Sequence, residues 1–359
     1  MPRFALDLTS LSLPPMDGSG RGVLTPGKDV LRCWPDQYDS AAENAQWSDG
    51  LSWPCHSVKE DCGFEQYTMN YAFHTLFDYA PTKATSDGKM LIYSANGAQD
   101  FDRKQMNFYR AFAYIHHYLR QTTSAMRKQL QCSTGFYHQV VEPTIYSIAQ
   151  RMSFLDWNLR LWDWNHTETF LERVTLAIDG FPIKVCTPGN RFLARLLKSG
   201  KYNTSVVKGE YTIALGPGFP IEYCGPHIGI RHDSRLWMEN RLRRSRMYRW
   251  EYGLGDKAYV GCPELLTEFK KPKGGTLTPQ QNKWNLTLQH YRGRVEHLIG
   301  ELVHSRAALN SRWRGSFSLL AAIMKICAHM VGLQERMKGP RYDVFGPWPV
   351  CPANVVAAY

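Results

Sequence analysis

No two of the nine cysteines form a C-x-x-C pair. Their odd number and scattered placement argue against a disulfide framework or structural zinc site and favour a reducing compartment. Cys55, His56 and Cys62 form the one local Cys/His cluster, which reads as ordinary residues rather than ligands. No uninterrupted apolar run reaches membrane-spanning length. The longest, 317–333, is broken by Lys325 and His329 and reads as a buried helix. The opening "MPRFALDLTSLSLPP" lacks the continuous apolar core of a secretory signal, so secretion is not expected. No internal repeat is visible. Acidic residues are in short supply, 32 against 43 Lys and Arg, for a formal charge of +11 and a pI near 9.2. That balance favours a polyanionic partner; an anionic membrane surface or plain solubility would also fit.

What is present is a globular composition, 43% hydrophobic and 13% aromatic, in 359 residues. The length allows one large domain or two of ordinary size. Residues 1–62, rich in Pro, Gly, Ser and Asp, read as an irregular arm carrying Trp34, Trp47 and Trp53. Residues 63–170 read as helical. Phe101, Phe108, Phe112, Ile115 and Leu119 share one helix face. Within 124–152 the pattern fits a helix-turn-helix with Ser133 or Thr134 capping its second helix, and fits equally a helical hairpin packed on the next domain. From 171 to 338 the pattern becomes mixed. Strand-like segments at 174–179, 181–186, 205–215 and 219–224 precede a helix start near "RHDSRLW", a short strand "YGLGD" and a long helix from 282. Residues 339–359 form a C-terminal tail. Between 180 and 314 basic residues outnumber acidic ones more than two to one, so a nucleic acid is expected there.

Three carboxylates stand out. Asp179 interrupts the aliphatic run "VTLAIDGFPIKV", where an unpaired charge costs on the order of several kcal/mol. Asp256 ends "YGLGD". Glu296 lies beside the stripe Leu288, Tyr291, Val295, Leu298 and Leu302, with Arg292 one turn before it and Gly300, a small residue allowing close approach, one turn after. Taken singly, an Asp before Gly is a turn residue and a Glu on an Arg-rich helix is a solvated ion pair. Taken together on neighbouring strands and a covering helix, they form an all-oxygen site suited to Mg²⁺ or Mn²⁺. Two such ions can bind the attacking and leaving oxygens of a phosphodiester. Metal would then compensate the charge of Asp179.

The stretches "AIDGFPIKV", "CGPHIGIRHDSRLW", "GLGDKAYVG", "LLTEFKKPKGGTLTPQQNKWN" and "YRGRVEHLIGEL", in this order, resemble the DDE superfamily endonucleases of the Harbinger transposase type over roughly 171–315. The resemblance implies an RNase H-like α/β fold, a mixed five-stranded sheet flanked by helices, preceded by the helical N-terminal region. It implies metal-dependent DNA cleavage and transfer. Asp179, Asp256 and Glu296 fall on the catalytic acids, and Asp233 on an auxiliary acid near the metals. His232 and Ser234 shape the start of the following helix, which Asp233 or Ser234 could cap. Lys257 and Ala258 depart from the family's usual Ser and Gly, yet no acid is lost.

Two basic clusters fit this picture, "RLRRSRMYR" (241–249) and "FKKPKGG" (269–275), as phosphate contacts, nuclear import signals or solvated faces. The expected DNA contacts are Arg241, Arg243, Arg244, Arg292 and Arg294, the last two beside Glu296. Expected partners are double-stranded DNA, a separate Myb-like DNA-binding protein and a second copy of the chain, with no membrane; the expected location is the nucleus. The rival readings are a domesticated, catalytically silent DNA-binding protein and a cellular RNase H-like nuclease.

Overall fold

The computed structural model describes residues 53, 57–77, 83–84, 90–91, 97–118, 130, 132–161, 174–249 and 251–339. Trp34, Trp47, Cys55, His56 and Leu119 lie outside these residues, as does most of the first helix of the 124–152 motif.

The N-terminal part is helical, beginning inside the expected arm: α1 (Val58–Cys62), α2 (Gln66–Phe77), α3 (Gly97–His117) and α4 (Glu142–Arg151). Trp53 is buried against Phe73 and Phe108, and its indole donates to Asn70 Oδ1 at 2.7 Å. Phe108, Phe112 and Ile115 of α3 are buried on one face, as their spacing requires. Ser133 does cap the next helical stretch, its hydroxyl accepting from the Phe136 amide. That stretch passes through a π-turn (Tyr137–Val141) into α4, whose Ile145 and Ile148 are fully buried.

A mixed sheet follows. Its strands are β1 (Val174–Lys184), β2 (Thr204–Ala214), β3 (Pro220–Ile228), β4 (Tyr252–Leu254) and β5 (Leu265–Leu266). The order across the sheet is β3-β2-β1-β4-β5. The pairings of β1 with β2 and of β2 with β3 are antiparallel; those of β1 with β4 and of β4 with β5 are parallel. A two-residue strand, Lys198–Ser199, pairs with the start of β2, so the sheet has six strands rather than the expected five. The two expected segments 174–179 and 181–186 are one continuous strand. Antiparallel pairing with β2 runs unbroken from Leu176 to Lys184, so Asp179–Gly180 is no turn.

Alternation along β1 gives each face its own core. Ala177, Phe181 and Ile183 share a cluster with the helices α8 (Pro279–His304) and α10 (Phe317–Lys338). Leu176 and Ile178 pack with Trp157, Trp237 and Tyr259 on the other face. That second face is covered by α6 (Asp233–Glu239) and α7 (Arg241–Ser245). A short helix, α5 (Arg191–Leu197), lies between β1 and β2, and α9 (Ala307–Asn310) joins α8 to α10. Pro279 at the first turn and a reciprocal Thr278–Gln281 capping box set the start of α8.

Helix α10 is long and apolar enough to cross a membrane by composition, yet 72% of its most apolar window is buried inside the protein. It packs on β3 and α4, and the same core takes in α2 and α3.

Candidate active site

Parallel pairing aligns the ends of three neighbouring strands. Ala177 of β1 faces Leu254 of β4, and Leu254 faces Leu266 of β5. Two residues beyond each stands an acid: Asp179, Asp256 and Glu268. A two-residue step keeps the face, so these carboxylates point to the side covered by α8. Asp256 also accepts from the Ala258 amide at 2.8 Å, capping a short turn.

Helix α8 crosses this row. Its residues Leu288, Tyr291, Val295, Leu298 and Leu302 are buried as the stripe requires, which brings Arg292 and half-exposed Glu296 to the acids. The Arg292 guanidinium donates to Asp179 Oδ2 at 3.2 Å and, through its other terminal nitrogen, to Glu296. Its Nε is buried without a hydrogen-bond partner, 4.0 Å from Glu268 Oε1. Glu268 is buried, paired with Lys257 at 2.9 Å and Gln289 at 3.1 Å, and these bonds hold its pKa below the usual value against the effect of burial. Lys257, a departure from the resembling family, thus has a partner.

Burial pushes the Asp179 carboxyl up to about 6; Arg292 and the Gly180 amide oppose this, while the charges of Asp256 and Glu296 add to it. Asp179, Asp256 and Glu296 therefore share one electrostatic neighbourhood. The buried charge that the sequence leaves unexplained is offset here by Arg292. Gly300 has no role in the approach, since a Cβ there would meet only His304, at 3.8 Å.

Asp233 is close but on the other face. A Cβ on Gly180 would stand 3.5 Å from the Asp233 carboxylate, and Gly180 points away from the Asp179 side. Asp233 pairs instead with Lys208 at 3.0 Å. This position and this ion pair set Asp233 apart from the Asp179, Asp256 and Glu296 group. Neither Asp233 nor Ser234 caps α6: His232 occupies the cap position without a side-chain cap bond.

The expected phosphate contacts need correction. Arg243 is fully buried, donating to Glu222 and, at 2.9 Å, to Glu210. Arg244 pairs with buried Glu264 at 2.7 Å. Arg294 is buried against the carbonyls of Leu215 and Gly216. Arg292 is only 13% exposed and held by the acids. Arg241 alone of the five is exposed. Lys270, Lys271 and Lys273 of the second cluster are also exposed.

A model of the DDE superfamily endonuclease family matches residues 178–332. The matched span begins on β1 one residue before Asp179 and ends in α10, so it contains all four acids expected from sequence. The DDE endonuclease match supports a transposase-like nuclease. No curated protein and no solved structure matches the chain.

DDE nucleases typically use divalent metals. The donor set of Asp179, Asp256 and Glu296 fits such an ion. It is all oxygen, and the Asp179 carboxyl, raised by burial first and by the Asp256 and Glu296 charges after it, is one whose ionised form a cation would favour. A second, chemically different group lies on the opposite face, where ligand atoms of Glu210, Cys224 and His227 fall within 4.8 Å of one another. There, however, Glu210 already accepts from Arg243 and from the Tyr259 hydroxyl, and burial pushes the Cys224 thiol up to about 11. Such a thiol resists becoming the thiolate that a metal needs.

Sequence reasoning missed Glu268. The signal was there: "AID", "LGD" and "LTE" repeat one pattern, an apolar strand end with an acid two or fewer positions on, but only the parallel register makes them neighbours.

Proposed function

We propose that this protein is a divalent-metal-dependent DNA endonuclease of the transposase kind, built on an RNase H-like sheet, with Asp179, Asp256 and Glu296 as its metal-holding acids. The observation carrying this reading is the alignment of Asp179 and Asp256 two residues past a parallel pair, with Glu296 tied to Asp179 through Arg292. The strand order, three antiparallel strands followed by two parallel ones, supports the RNase H-like assignment. The order of the sequence stretches supports a Harbinger-type relation; a nuclear location, a Myb-like partner and self-association belong to that same reading.

Bound Mg²⁺ or Mn²⁺, as one ion or a pair, would supply a nucleophile of lowered pKa and neutralise charge on the leaving oxygen. The chain's own residues do the rest. Asp179 and Asp256 project from adjacent strands, so the sheet fixes their separation. Glu296 reaches in from α8, whose register Arg294 locks through the Leu215 and Gly216 carbonyls. Arg292 balances the acids through its bonds to Asp179 and Glu296.

The test is nicking of supercoiled duplex DNA with and without Mn²⁺, for the original chain and Asp256→Asn. Metal-dependent nicking that the variant loses, together with loss of most of the Mn²⁺-induced rise in melting temperature, is the expected result. Equal metal shifts in both proteins would remove Asp256 from the site. A protein that binds DNA, ignores Mn²⁺ and never cleaves would be the silent DNA-binding relative.

A further inference from the structure

Between Asp179 and Glu210 the chain has no acidic residue and six basic ones, Lys184, Arg191, Arg195, Lys198, Lys201 and Lys208. Lys208 faces Asp233. The other five are exposed, and among the described residues none has an acidic ion-pair partner. Some other arginines of the nuclease region do find acids, as half-buried Arg231 finds Glu239 at 2.8 Å and Arg246 finds Glu222 at 3.6 Å. An uncompensated basic run of this kind points to a polyanion.

The fold keeps the run beside the carboxylates. Helix α5 anchors through Leu197, which is buried in the same core as α8. The turn after it carries Lys201, whose ammonium lies 5.4 Å from the centre of the Tyr202 ring. Against a desolvation that lowers it, the Lys201 pKa is raised by Tyr202 first and then by the charges of Asp256 and Asp179, so the turn lies within electrostatic reach of the acids. The basic surface extends across β1: Trp313 donates to the Lys184 carbonyl at 2.8 Å, bringing exposed Arg312 and Arg314 alongside.

The same helix exposes apolar surface that the fold does not explain. Phe192 is 68% exposed and Leu193 42%, while Tyr202 is 38% exposed. An exposed aromatic among unpaired cations is the composition that holds a nucleic-acid strand, the cations on phosphates and the ring against a base.

We propose that this surface, helix α5 with its following turn and the Arg312–Arg314 loop, grips the DNA strand at the nuclease site, with Phe192 stacking on an unpaired base. This rests on the nuclease reading and names the substrate feature that reading leaves open, a duplex with an unpaired base at the cleavage point. Charge complementarity selects the occupant, because these cations have no acidic ion-pair partner among the described residues.

The test is fluorescence anisotropy in EDTA, so that no cleavage intervenes, with a blunt DNA duplex and the same duplex carrying a single-stranded overhang. The paired change Arg195→Glu and Lys198→Glu should weaken both by tenfold or more and make the salt dependence shallower, by about one unit of slope for each phosphate no longer neutralised. Phe192→Ala should weaken overhang binding by roughly five- to a hundredfold and leave the blunt duplex nearly unchanged. Arg241→Ala should change neither. All these side chains are exposed, so melting temperatures should match the original and exclude misfolding. Unchanged affinity in the charge-reversed variant, equal loss on both probes in Phe192→Ala, or tighter binding of an RNA overhang would each overturn the proposal. A protein that nicks DNA with Mn²⁺ while these variants bind normally would refute the grip and spare the nuclease reading; one that neither binds nor nicks DNA would refute both.

Discussion

Burial and the charges of Asp256 and Glu296 disfavour the ionised Asp179, while Arg292 and the Gly180 amide favour it. Its carboxyl titrates near 6 in the folded protein, above the ordinary 3.8. A raised folded value means that the folded state holds the proton more tightly than the unfolded chain. Ionisation therefore costs stability, little below pH 4, more through the interval up to 6, and in full above it. Asp179→Asn removes that cost along with one side of the Arg292 ion pair. Without metal the variant should be more stable than the original at pH 8, by at most about 3 kcal/mol from the size of the shift. The gain should vanish at pH 4, and urea denaturation in EDTA at the two pH values measures it. An asparagine that destabilises at pH 8 would show that the ion pair outweighs the cost of burying the charge beside the other acids. The variant should also lose nicking activity, separating function from stability at one residue.

At the scale of the element, α7 shows what a charge run conceals. "RLRRSRMYR" reads as a solvent-facing basic helix, and Arg241 is exposed as that reading requires. Arg243 goes the other way because Glu210 on β2 and Glu222 on β3 wait beneath it, 33 and 21 residues earlier in the chain. No local pattern announces such partners. Arg243→Met should leave both glutamates facing an apolar side chain and destabilise by about 3–5 kcal/mol, the range for breaking a buried ion pair. It should not alter the salt dependence of DNA binding in the molecules that remain folded. Helix α8 was more legible: its stripe and the flanking Arg292 and Glu296 follow from spacing alone, although its start at Pro279, set by the Thr278 cap, lies before the expected 282. The strand ends were legible in part. Asp179 and Asp256 stand out against aliphatic runs, whereas Glu268 hides in "TEFKK", where the adjoining lysines suggest a solvated segment. Asp233 was expected beside the metals by its place in the chain, but one step along β1, from Asp179 to Gly180, changes the face of the sheet.

The whole molecule should be sensitive to acid. His329 is half-buried on α10, its ring nitrogen accepting from the Leu155 amide at 3.3 Å. Burial, with Lys325 and Arg336 nearby, pushes its pKa down to about 3, and burial with Arg243 pushes His227 down to about 4. Depressed folded values reverse the sign found for Asp179. As pH falls below 6.5 the unfolded chain takes up protons that the folded state refuses, and stability drops by about 1.4 kcal/mol per pH unit for each histidine. His329→Gln, which keeps a neutral acceptor for Leu155, should flatten the curve of unfolding free energy against pH between 6.5 and 4 by about one proton. An unaltered slope would mean that His329 is already open to water.

The depth of α10 in the core bears on the order in which the protein can be made. Gln334 on this helix accepts from the Glu65 amide, 269 residues earlier, and Arg306 donates to the Gly63 carbonyl. A ribosome releases residues 57–77 long before it reaches their partners, so the early helices must wait with their apolar faces uncovered. When α10 emerges, its apolar span is fit for a lipid bilayer until the sheet and α4 receive it. A product cut short before 317 would lack this helix and leave its apolar partners on β3 and α4 uncovered.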